Sequence, residues 1–194
     1  RANSDLYKKL CLKNKNTRIE YIHSLDYENY LQIKDNPRII EEKYCVFLDE
    51  FLPYHPDGIA LGDNFDPDTY YFEVESFFKN IEKMFNLKVV IAAHPRSNYI
   101  EHRDRLKQFK ILKYQTAELI KDSEFVINHA STAVCYAVIC HKPVIMITTE
   151  DINKKERYVR ALKLQAELLG INHIENISLL HNLSKFDLCF EINK

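Results

Sequence analysis

The chain has 194 residues, 46% of them hydrophobic, with 27 Lys and Arg against 28 Asp and Glu and a formal net charge of −1. That length suits one well-packed domain and excludes two large ones. The balanced charge, with no basic block, argues against nucleic-acid binding, and no apolar run reaches membrane-spanning length.

The opening residues do not read as a signal peptide. The chain begins at Arg1 rather than Met, and a fragment or a processed chain is expected. Residues 1–38 are rich in Lys, Asn and Asp, with a weak helical pattern at 5–12, a short strand pattern at 19–22 and a short helical or extended run at 27–32. Residues 1–40 are therefore expected to be a linker or the tail of an absent N-terminal domain, ahead of one α/β domain over 41–194.

Tyr44–Leu48 (YCVFL) predicts the first buried strand, ending in Asp49 and Glu50. A loop over 51–66 follows, with two prolines and two of the three glycines of the chain. A loop of that length inside a compact domain is functional or mobile more often than not. Asp66-Pro67 then opens a helix, as cap and first-turn residue, and Val74, Phe77, Phe78, Ile81, Met84 and Phe85 recur at helical spacing. Residues 87–93 (LKVVIAA) predict a second buried strand, ending in His94-Pro95-Arg96-Ser97. A short helix at 101–108, a weak strand at 109–112 and a helix at 116–121 lead to the central unit.

That unit, 125–147, reads as buried strand, polar turn, apolar helix and buried strand. The helix, 133–140, is apolar on every side and is expected to be covered all round. A helix over 153–169 with Gly170 as its stop and a last strand at 171–174 follow; 179–183 and 188–192 carry weaker patterns. Alternating buried strands and helices predict a Rossmann-like parallel sheet with helices on both faces. There is no internal repeat and no GxGxxG fingerprint. Five cysteines, none in CxxC spacing, read as reduced, buried and structural, as in a cytoplasmic protein, and no metal site is expected.

In such a sheet the ligand binds outside the C-terminal strand ends. The polar residues there are Asp49 and Glu50; His94, Pro95, Arg96 and Ser97; Asn128, His129, Ser131 and Thr132; and Thr148, Thr149 and Glu150. Two imidazoles, a guanidinium, several hydroxyls and a helix start suit a phosphorylated ligand. The plainer roles are a strand cap for His94, a surface ion pair for Arg96, helix capping for Ser131 and Thr132, and a structural ring for His129. His55, beside Tyr54 and Asp57, reads as a solvated loop residue, with substrate contact as the alternative. His94 and the Ser131-Thr132 pair are expected close enough for one phosphate to bridge them.

The combination of AAHPRS (92–97), NHASTAVCYAV (128–138) and KPVIMI (142–147) resembles the nucleotide-binding half of GT-B glycosyltransferases of bacterial capsule and lipopolysaccharide synthesis. That group includes bacterial sialyltransferases, Kdo transferases and CDP-glycerol glycerophosphotransferases. The run 44–57 also looks like the first strand and loop of that domain in surface-carbohydrate proteins. The resemblance covers about residues 44–149 and rests on short motifs in the right order. It implies that His94 and Pro95 contact the nucleotide and that Ser131 and Thr132 bind phosphate. It further implies a nucleotide-sugar donor, with a CMP-linked one expected, a glycan or lipid-linked acceptor, and no cofactor or metal. The catalytic base of that group usually lies in the N-terminal domain, so the candidates here, His94, Asp49 and Glu50, stay open. Membrane association at the inner face of the cytoplasmic membrane would run through the absent domain. Two alternatives remain: a sugar-nucleotide epimerase, whose glycine-rich phosphate turns are missing here, and a non-catalytic nucleotide-binding domain.

Overall fold

The computed structural model describes residues 18, 20, 22–99, 101 and 105–179. The patterns at 5–12 and 188–192, half of that at 19–22 and nearly all of that at 179–183 lie outside them. Six parallel strands form one sheet: β1 (Tyr44–Leu48), β2 (Lys88–Ala93), β3 (Lys110–Lys113), β4 (Val126–Asn128), β5 (Val144–Thr148) and β6 (Glu175–Asn176). Their spatial order is β3-β2-β1-β4-β5-β6. The four strands expected with most support are all present and parallel, and the fold is Rossmann-like.

β1 is buried along its whole length because both its faces are covered. Its side chains alternate. Cys45 and Phe47 join one core with Val74, Phe77, Phe78 and Ile81 of helix α3 (Pro67–Phe85) and Leu162 and Ala166 of helix α7 (Glu156–Leu169). Tyr44, Val46 and Leu48 join the other core with Leu119 and Ile120 of helix α4 (Thr116–Asp122) and Val134 and Ala137 around helix α5 (Cys135–Ile139). Phe47 meets the Phe78 ring edge-on at 4.9 Å. On the opposite face the Tyr44 hydroxyl donates to the Leu119 carbonyl at 2.8 Å.

Several elements differ from expectation. The run at 27–32, expected to be helical or extended, is part of helix α1 (Leu25–Ile33), which is capped by Ser24 and packs on α4 and α5. Asn29 Nδ2 donates to the Tyr136 hydroxyl at 3.0 Å, and the Cys135 thiol donates to Asp26 at 3.3 Å. The long loop contains a helix, α2 (Pro56–Ala60), too short to leave a periodic signal. The expected helix over 153–169 is two: α6 (Glu150–Asn153), capped by Thr149, and α7, separated by an extended Lys155. Gly170, at φ 68°, ends α7 as expected. The last strand sits at Glu175–Asn176, not 171–174. Among the described residues of 101–108 there are turns only.

The helix expected to be covered all round is not. α5 is covered by α1 and α4 on one side, and Val138 is 55% exposed. Cys45, Cys135 and Cys140 are free thiols, but only Cys45 is fully buried. No helix among the described residues is long and apolar enough to cross a membrane.

Phe47 is the aromatic anchor of the core at the centre of the sheet. Phe47→Ala should lower unfolding free energy by about 3–5 kcal/mol, measured by urea denaturation, while Phe72→Ala on the exposed side of α3 should leave it nearly unchanged.

Candidate functional site

Because all six strands are parallel, their C-terminal ends share one edge. The sheet grows from β1 toward β3 in one direction and from β4 toward β6 in the other. Connections therefore diverge between β1 and β4, and the crevice left there is where such sheets take ligands. β1 lies between β2 and β4, so His94 and Ser131 follow strands two spacings apart, about 10 Å. They share the edge, with β1 and its loop between them rather than on the adjacent strands expected from the sequence.

At the end of β1, Asp49 is 3% exposed. Its carboxylate accepts from the Phe51 N–H at 2.8 Å, the Tyr99 hydroxyl at 2.9 Å and the backbone N–H of His94. Burial pushes its pKa up to about 6 despite these bonds. Asp49 thus ties the loop after β1 to the turn after β2 and offers nothing outward. Glu50 is half-buried and faces the crevice. Burial raises its pKa, while a bond from the Ser131 hydroxyl and the nearness of His55 act the other way.

After β2, His94 Nδ1 accepts from the Arg96 N–H at 3.1 Å. The proton of the neutral ring is therefore on Nε2. Burial lowers the pKa of His94, and His55, Arg96 and Lys113 lower it further. Pro95 is exposed, and Arg96 pairs with Asp57 at 2.9 Å. Ser97 is buried and closes the turn: its N–H donates to the His94 carbonyl at 2.9 Å, and its own carbonyl accepts from Lys113 at 2.8 Å. Against expectation, His55 is half-buried rather than a solvated loop residue. Its Nδ1 accepts from the Asp57 N–H at 3.2 Å, and its ring meets that of His94 edge-on at 4.8 Å.

After β4 the chain turns through Ala130, at φ 87°, a conformation strained for a residue with a side chain. The Asn128 carboxamide holds the turn: Oδ1 accepts from the Ser131 N–H at 2.9 Å, and Nδ2 donates to Gln165 Oε1 at 3.0 Å. Gln165 Nε2 in turn donates to the Ala130 carbonyl at 3.0 Å. Gln165 was not singled out from the sequence. Its signal was a polar residue beside Ala166 on the stripe shared with Leu162 and Leu169. Tyr99, the partner of Asp49, left no signal.

The helix-start N–H groups expected to be free are mostly engaged. That of Ser131 goes to Asn128, that of Ala133 to Ser131 Oγ at 3.4 Å, and that of Val134 to the Ser131 carbonyl. Ser131 is buried and acts as the cap, while Thr132 is exposed. His129 is 1% exposed; its Nε2 meets the Tyr70 hydroxyl at 3.0 Å and its ring lies 5.0 Å from that of Phe47. Burial lowers its pKa to about 4. His129 is thus placed in the core, with no face open to a ligand. Thr148 and Thr149 bond within α6, and the Glu150 N–H donates to Ser178.

Among the described residues no three His, Cys, Asp or Glu side chains converge as metal ligands. An open depression lined by Glu42, Lys43, Lys79, Glu82 and Lys88 sits at the opposite, N-terminal end of β1 and β2, where charges of both signs alternate.

No protein-family model matches the chain, and no curated protein does. Among solved structures, the chain is similar to the UDP-GlcNAc 2-epimerase of Methanocaldococcus jannaschii, crystallised with UDP-GlcNAc and UDP. The identity is 16% and the TM-score 0.38, over 75% of this chain and 42% of that one. The chain thus spans less than half the length of that protein.

Two outcomes follow from the geometry. Asn128→Ala orphans the Ser131 N–H and one side of Gln165, and should destabilise the chain by about 2–3 kcal/mol in chemical denaturation. For Asp49, the folded pKa lies above the ordinary carboxylate value, so its contribution is favourable below pH 4 and is lost as pH rises through 6. The stability of Asp49→Asn relative to the parent should therefore rise between pH 4 and 7, by about 2–3 kcal/mol, in paired melts across that range.

Proposed function

We propose that the crevice at the strand ends binds a nucleotide sugar, and that the chain is the donor-binding half of a glycosyltransferase of bacterial surface-polysaccharide or lipopolysaccharide synthesis, with a CMP-linked donor. The observation that supports this best is the gathering of His94, Arg96, Glu50, Ser131 and Thr132 along the edge where the strand connections diverge. The motif resemblance of 92–97 and 128–138 supports the same reading.

The charges give the ligand a direction. Glu50 would repel a phosphate, so the hydroxyl-bearing part of the donor belongs beside Glu50 and Ser131. The phosphate belongs at the β2 end, where the Nε2 proton of His94 and the nearby Arg96 and Lys113 favour an anion. A donor held there could shed its nucleotide with the developing negative charge on the leaving phosphate met by a fixed hydrogen-bond donor. Of the three candidate catalytic groups, Asp49 is enclosed, leaving His94 and Glu50 beside the ligand. The acceptor, a glycan or lipid-linked sugar, and a further base would come from an N-terminal domain.

The test is calorimetric titration of the chain with CMP, CDP, UDP and GDP. At least one should bind. His94→Ala should weaken that binding by about 1–3 kcal/mol with little change in melting temperature. Ser131→Ala should weaken it too, and should also lower stability by about 1 kcal/mol through the lost cap. Binding of none of the four by the parent chain, or equal binding by both variants, would overturn the proposal. The chain alone should transfer little or no sugar.

A further inference from the structure

His55-Pro56-Asp57 and His94-Pro95-Arg96 are two copies of one turn, brought together from loops 39 residues apart. In each, the histidine Nδ1 accepts the N–H of the residue two positions on, at 3.2 and 3.1 Å. In each, proline fixes the backbone between them. The third residues of the two turns, Asp57 and Arg96, pair with each other at 2.9 Å, and the two rings touch at 4.8 Å between centroids. Each ring therefore spends Nδ1 on its own backbone and, when neutral, carries its proton on Nε2, the nitrogen on the far side of the ring from the turn. Neither Nε2 has a hydrogen-bond partner among the described residues. A nitrogen in that state donates and has no lone pair for a metal ion.

We infer that His55 and His94 form a two-donor clamp that grips one phosphate group of the ligand through their Nε2–H groups. This rests on the proposed binding of a phosphorylated ligand at the strand ends, and adds the residue that the loop 51–66 contributes to it. With centroids 4.8 Å apart, the two rings are close enough for N–H donors on both to serve oxygens of a single phosphate. The Asp57–Arg96 pair and the Asp49 carboxylate hold the two turns in register before ligand arrives, so little ordering remains to be done on binding. The role assigned to Arg96 changes accordingly: it locks the clamp rather than meeting the phosphate.

The substitution that isolates the donor is His→Asn. The Asn oxygen takes over from Nδ1 as acceptor of the same N–H, an arrangement favoured before proline, but nothing replaces Nε2–H. With CMP and UDP as probes, His55→Asn and His94→Asn should each bind about tenfold more weakly than the parent at unchanged melting temperature. The double variant should lose less than the product of the two, because the second donor is worth less once the phosphate is no longer gripped from both sides. Parent-like binding by His55→Asn alongside weakened His94→Asn would overturn the clamp and leave the nucleotide site standing. So would losses that multiply in the double variant. A parent chain that binds neither probe overturns the nucleotide site itself. A measurement without variants guards against misfolding: 15N spectra of the imidazoles should show both rings protonated on Nε2, with both Nε2 signals moving on addition of CMP. A ring protonated on Nδ1 instead would overturn the clamp.

Discussion

One carboxylate sets the geometry of the strand-end edge. Asp49 leaves β1 pointing into protein rather than water, and it is affordable there only because three donors converge on it. Those donors come from the start of the β1 loop, the start of the β2 turn and Tyr99. Joining them fixes the distance between the two loops that carry His55 and His94. Phe51 pays part of the local strain, at φ 52°, a left-handed conformation that turns its N–H back onto Asp49. The residue that looks most like a catalytic acid by position is thus the one that positions the others.

The second half of the edge is held by a neutral device. Asn128 and Gln165 clasp the turn 128–131 to α7, and no charge is involved. The contrast has consequences for pH. Asp49 favours the fold at low pH, losing that contribution as pH rises through 6, whereas His129, buried neutral with a pKa of about 4, contributes fully above 6.5 and loses its contribution as pH falls toward 4. Between these limits the two contributions change in opposite directions, so the fold changes less in stability than either residue alone would dictate. The Asn128–Gln165 clasp is indifferent throughout the same range.

The parts of this fold that were legible in the sequence are those in which burial leaves a pattern. Tyr44–Leu48 is apolar throughout because both faces of β1 are covered, and the stripe from Val74 to Ile81 repeats at helical spacing because one face of α3 is. The positions of His94 and Ser131 at strand ends followed from the same patterns. What was not legible depends on strand order. Nothing in the sequence says that β1 lies between β2 and β4, so the two motifs were placed together when they are two strands apart. A short element was missed for a related physical reason: α2 gains its stability from tertiary contacts and is too short to show a period. Polar partners such as Tyr99 and Gln165 are defined by the distance they bridge, which spacing along the chain does not record.

The charges along the edge are sorted rather than mixed, and this sorting follows from how the loops are anchored. Glu50 is left half-buried beside Ser131 because Asp49, its neighbour in sequence, is turned inward and the chain alternates. Each imidazole accepts a backbone N–H on Nδ1, and His94 is biased toward its neutral form by burial first and then by His55, Arg96 and Lys113. A phosphate approaching the β2 end meets donors and distant positive charge without a counter-ion that must first be displaced, since Arg96 is already satisfied by Asp57. The same phosphate at the β4 end would meet a carboxylate and a set of N–H groups already spoken for. On the proposed reading, the order β2-β1-β4 would itself orient a ligand with an anionic end and a hydroxyl-rich end, and moving either histidine to another strand end would remove that orientation.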